Sequence, residues 1–169
     1  RCGGLTMSGS TVSDNTAESY GGGIWAYLVT LTNSLITDNS AGKGGGGIFT
    51  STATVVDSTI RGNTSGTNGG GILSSFELTV TGSTISGNSA VVGGGIRHSG
   101  GTATVVSSTI SGNVSSSNSG GLYLLNTSSA IHHSTITANT ASGFGGGISV
   151  IGGSLAFDPE TAWTYGVGA

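Results

Sequence analysis

The ionisable side chains are few: Asp14, Glu18, Asp38, Asp57, Glu77, Asp158 and Glu160 against Arg1, Lys43, Arg61 and Arg97, with His98, His132 and His133. Cleaving a polysaccharide would need carboxylates grouped in one groove, as acid and base or nucleophile. Only Asp14 and Asp38 occupy equivalent positions, each one residue before an asparagine of a recurring pattern. There they read as solvated turn residues, with weak cation binding as the alternative. His132 and His133 are adjacent, so on a strand they point to opposite sides and do not chelate one metal. His98 aligns with Ala26 and Val150, positions expected to face inward, and reads as a satisfied core histidine. No catalytic residue, metal ligand set or cofactor is expected, and the chain is read as non-enzymatic. A polysaccharide lyase or hydrolase is the third reading.

Six aligned asparagines, Asn15, Asn39, Asn63, Asn88, Asn113 and Asn139, could present amides to a ligand. A structural role explains them more simply, because Asn tolerates left-handed backbone at sharp turns and stacked Asn side chains hydrogen-bond to one another. The glycine triplets are not a phosphate loop, since none is followed by Lys and Ser or Thr at the head of a helix.

These residues belong to a repeat. A Ser-Thr-Ile element, or a variant of it, ends at Val12, Ile36, Ile60, Ile85, Ile110 and Ile136, separated by 24, 24, 25, 25 and 26 positions. The asparagine follows three residues later, and a glycine cluster then ends in Ile24, Ile48, Ile72, Ile96, Leu122 or Ile148. Between the glycines and the next Ser-Thr-Ile lies a short alternating run such as Leu78-Thr79-Val80-Thr81. Alternation rich in β-branched residues reads as strand, and Gly, Ser and Asn between such runs read as turns. No segment has a helical apolar period. One coil cannot bury its apolar face alone, but stacked coils share a core. The pattern predicts an all-β, right-handed, single-stranded parallel β-helix of about six coils, each of 24 to 26 residues with three short strands. It forms one domain over 1–169, with repeats over about 5–151 and, over 152–169, a partial coil and a possible cap. Leu155 and Phe157 fit a seventh coil before Asp158-Pro159-Glu160 breaks the pattern, and Trp163 and Tyr165 would help to close the core.

The GGGI elements and the I-x-x-N elements resemble the repeats of bacterial surface and secreted β-helix proteins, including the GGA[ILV] and FxxN repeats of chlamydial polymorphic membrane proteins. Ile or Val here replaces the Phe of FxxN. The resemblance spans residues 5 to about 151 and implies a β-helix. It leaves function open, since adhesins, autotransporter passengers, pectin-lyase-like enzymes and filaments all use such repeats.

Two outward ladders follow from the alternation. The residue after each glycine-aliphatic element is Trp25, Phe49, Leu73, Arg97, Tyr123 or Ser149, so four large apolar side chains, Trp25, Phe49, Leu73 and Tyr123, should form an exposed stripe. Such a stripe marks a contact surface, for another copy or for sugar rings. The second ladder comprises Thr6, Thr30, Thr54, Thr79 and Thr104, flanked by Ser8, Thr32, Val56, Thr81 and Val106. It resembles the ice-binding faces of β-solenoid antifreeze proteins, although Thr is also simply favoured on exposed strands. Ala130 and His132 interrupt it in the sixth coil.

Composition narrows the classes further. With 34 glycines, 7% charged residues and a net charge of −3, the chain has no basic footprint for nucleic acid and no apolar run long enough to span a membrane. A single cysteine, Cys2, excludes an internal disulfide framework. Beginning at Arg1 without an initiator Met, the sequence reads as a processed chain or a fragment. The leading expectation is an extracellular or cell-surface structural or adhesive module of a microbe. Its partners would be its own copies, laterally or end to end, or surface glycans, with ice binding as the alternative.

Overall fold

A computed structural model describes residues 3–157, in which the β-branched runs form strands of two to eleven residues and no helix. The expected C-terminal cap, Asp158 to Tyr165, and the N-terminal Arg1 and Cys2 lie outside the described residues. Every strand pairing is parallel, and the strands form one nine-stranded sheet and two six-stranded sheets. A representative coil runs through Glu77–Thr81 on the first sheet, Thr84–Ser86 on the second and Ser89–Val92 on the third, then returns to the first at Ile96–Ser99. The fold is therefore the expected parallel β-helix, with Ser129 paired to Leu155 and Ile131 to Phe157 where a seventh coil begins.

Three corners turn the chain. The first is left-handed at Gly9, Asn33, Asp57, Gly82, Ser107 and His133, the second at Asp14, Asp38, Gly62, Gly87, Gly112 and Ala138. At the third, Gly45 has a φ of 63° and opens the glycine triplet, while Ser119 takes this conformation in the fifth coil and its Oγ donates to the Leu122 carbonyl. The next glycine has a different reason. A Cβ on Gly46 would lie 2.4 Å from the carbonyl oxygens of Gly70 and Thr64, so only hydrogen fits where the backbones meet.

Inside, equivalent side chains stack. Ile36, Ile60, Ile85 and Ile110 are in register and fully buried, and Leu31, Val55, Val80 and Val105 form a second column. Each buried aliphatic contributes roughly 1.5 to 3 kcal/mol.

The asparagines differ from expectation in one respect: the left-handed residue is the one before each Asn, and the Asn side chain points into the corner. From Asn39 to Asn113 they are buried. Asn88 Nδ2 donates to Asn113 Oδ1 at 3.0 Å and to the Ile60 carbonyl at 3.0 Å, while Asn88 Oδ1 accepts from the backbone and side chain of Asn63. Serine forms a parallel ladder. Ser83 Oγ donates to the Thr81 carbonyl at 2.8 Å and accepts from the Ser58 amide at 3.0 Å, and its neighbours repeat the arrangement.

His98 stacks between Ser74 and Leu124 and is fully buried. It is inward, as the alignment implied, but not fully satisfied. Nδ1 shares a hydrogen bond of 2.8 Å with Ser74 Oγ, whereas Nε2 is buried without a partner among the described residues. Burial lowers its pKa below the ordinary 6.5, opposed in part by the backbone of Gly100 and Thr102.

Two stability predictions follow from these inner groups. Asn88→Ala strips buried donors and acceptors of their partners in both adjacent coils and should cost about 3 kcal/mol or more in urea unfolding, against about 0.5 kcal/mol or less for Thr84→Ala on the outer face. Because the folded His98 binds its proton less well than the unfolded one, stability should be level above pH 6.5 and fall as pH drops from 6.5 toward the lowered value. His98→Leu should flatten that part of the curve, and an unchanged slope would contradict the assignment.

Candidate functional site

On the outward face of the first sheet, Trp25, Phe49, Leu73, Arg97, Tyr123 and Ser149 stand in one register column. Their surroundings divide them. Trp25 is 75% exposed. Phe49 is half-buried, its ring 4.7 Å from that of Tyr20 at a tilt of 33°, and Lys43 Nζ lies 6.0 Å over the Tyr20 ring. Leu73 corrects the expected stripe: it is only 7% exposed, because the chain at Gly44 packs over it so closely that a Cβ there would come within 2.5 Å of its Cδ2. Tyr123 is half-buried, with the Arg97 guanidinium 5.8 Å above its ring. The expected continuous stripe is therefore an open aromatic patch at Trp25 and Phe49, separated by Leu73 and Arg97 from a cation-covered Tyr123.

The patch extends sideways to residues that the ladder pattern missed. Trp25 and Tyr27 are two apart on the strand Ile24–Thr32, which brings them to one side about 6.6 Å apart along the strand. Tyr27 and Leu28 are both exposed where alternation breaks and the sheet bends. In the coil two further on, this bend separates Ile72–Ser74 from Glu77–Thr81 and turns Phe76 outward, 63% exposed. Gly101 sits beside it, since any Cβ there would collide with the Phe76 carbonyl. Trp25, Tyr27 and Phe49 line a groove of about 460 Å³ with Ser51, Ser75 and Gly4, and among the described residues no charged side chain lines it. The signal for Tyr27 was its i+2 spacing from Trp25. Phe76 had none, because it lies in a turn.

The hydroxyl ladder is in register as expected: Thr6, Thr30, Thr54, Thr79 and Thr104 pair in succession before Ala130. Ser8, Thr32, Val56, Thr81 and Val106 form the adjacent column, ending at His132. The second sheet carries a similar outward column, Thr59, Thr84, Thr109 and Thr135. Hydroxyl rows are thus not confined to one face.

Among the described residues the carboxylates do not converge. Asp14 and Asp38 occupy one corner, Asp57 another, and Asp38 accepts a hydrogen bond of 2.6 Å from Thr37 Oγ1. Among the described residues no three of His, Cys, Asp and Glu come together as a metal site. No helix among them is long and apolar enough to cross a membrane.

No curated protein and no solved structure matches the chain. A family model described as periplasmic copper-binding protein (NosD) matches residues 4–155. Because that match covers nearly every described coil, the chain belongs to the NosD family, a periplasmic family by its description, and it is a parallel β-helix repeat protein.

Proposed function

We propose that this chain is a non-enzymatic structural or adhesive module of the microbial cell surface, which contacts a partner or its own copies through the aromatic patch around Trp25. The carrying observation is the exposure of Trp25, Tyr27 and Phe76 beside a groove walled by Phe49. Rings held in the open by a rigid sheet lose little conformational freedom on binding, and clustered exposed apolar surface is characteristic of contact sites. The scatter of the described carboxylates supports a non-enzymatic role. The periplasmic family description and the repeat resemblance to surface proteins support a place in or outside the envelope.

Copper, which the family description names, does not fit the described residues. His98 is enclosed in the core with Ser74 on Nδ1, His132 stands on the outward column beside Val106, and His133 takes a corner. These residues make no ligand cluster.

Ice binding is the second reading, supported by the unbroken run of five in-register threonines. The comparable column on the second sheet weakens it, because it shows Thr filling exposed strand positions generally.

For the contact reading, Trp25→Ser with Tyr27→Ser should reduce self-association in sedimentation velocity, or attachment to intact bacterial cells, by about tenfold or more. The circular dichroism spectrum should not change. Retention of both properties at wild-type strength contradicts the patch. For the alternative, thermal hysteresis that disappears in Thr79→Lys would support ice binding, and its absence in the parent chain at high concentration removes that reading.

A further inference from the structure

The geometry points to a neutral saccharide as the occupant of the groove between Trp25, Tyr27 and Phe49, an assignment that rests on the contact reading above. Three features converge on this chemistry.

The first is the pairing of ring faces with hydroxyls. A hexose ring presents C–H groups on its face and hydroxyls around its edge. Trp25 and Tyr27 supply apolar faces, while Ser51 and Ser75 line the same groove and make no side-chain hydrogen bond among the described residues. Their hydroxyls are available to a ligand.

Charge is the second feature. Among the described residues no lysine, arginine, aspartate or glutamate lines the groove, so none of them would neutralise a uronate, sulfate or phosphate group. Lys43 is held over the Tyr20 ring and does not line the groove. An acidic polymer would be desolvated without compensation.

Shape is the third. At about 460 Å³ the groove lies within the roughly 300 to 1,000 Å³ usual for small-ligand sites, and its Gly3 and Gly4 wall carries no side chains to fill it. The aromatic side chains project from paired strands of a sheet, which preorganises their spacing.

Affinity electrophoresis of the full chain through gels containing soluble neutral glucan, mannan or galactan, with polygalacturonate as the acidic control, tests the assignment. At least one neutral polymer should retard the chain, with polygalacturonate about tenfold weaker or inert. Trp25→Ala and Tyr27→Ala should each weaken retardation about tenfold or more, with unchanged circular dichroism. Three results overturn it: no retardation by any neutral polymer, equal retardation by polygalacturonate, or wild-type retardation in both variants. If neutral polymers fail while Trp25→Ser with Tyr27→Ser still abolishes self-association or cell attachment, the saccharide assignment falls and the contact reading stands.

Discussion

The fold depends on in-register stacking of coils whose corners contain buried amides. A side-chain amide removed from water must find partners for two donors and an acceptor, and its own coil cannot supply them all. Asn88 finds them in the coils before and after it, as do Asn63 and Asn113. A slip of one residue would leave these groups unpaired and would turn the isoleucine column outward, because side-chain direction alternates along a strand. The polar ladder and the apolar columns therefore enforce one register. The serine ladder reinforces it at the neighbouring corner.

That rigidity accounts for the surface. Once register is fixed, every outward residue is aligned with its counterpart about 4.8 Å away, and sequence differences between coils become surface relief. Trp25 and Phe49 adjoin one another for this reason, and the same alignment carries the threonine column. The relief is modified by what each glycine cluster allows. Gly44 lets the chain close over Leu73, whereas no described segment covers Trp25 in the same way. Membership in a family described as copper-binding therefore sits on a coil stack whose described surface is aromatic and hydroxylated rather than rich in metal donors.

The periodic features were legible in the sequence because the repeat repeats its reasons. Ser-Thr-Ile or its variants, the asparagine and the glycine cluster each solve the same steric or hydrogen-bonding problem six times, with Ser119 standing for the first glycine in the fifth coil, so spacing alone yields coils, strands and columns. Features made by single departures from the repeat were less legible. Leu73 looked exposed because alternation reports direction and says nothing of a neighbouring loop packing over it. Phe76 was missed because it lies in a bend with no period. His98 was correctly placed inside, but whether each ring nitrogen finds a partner there depends on detailed geometry that alternation does not report. The left-handed residue before each asparagine was also hidden, since Asp, Gly and Ala all occupy that place.

Nuclear Overhauser effects between selectively labelled isoleucine methyl groups test register most directly. Stacking predicts strong contacts between Ile60 and Ile85 and between Ile85 and Ile110, each one strand spacing apart, with Ile60 to Ile110 much weaker. If Ile85 instead contacted methyls of Thr59 or Thr109, or neither isoleucine, the register would be wrong, and the aromatic groove and hydroxyl columns built on it would not exist as described.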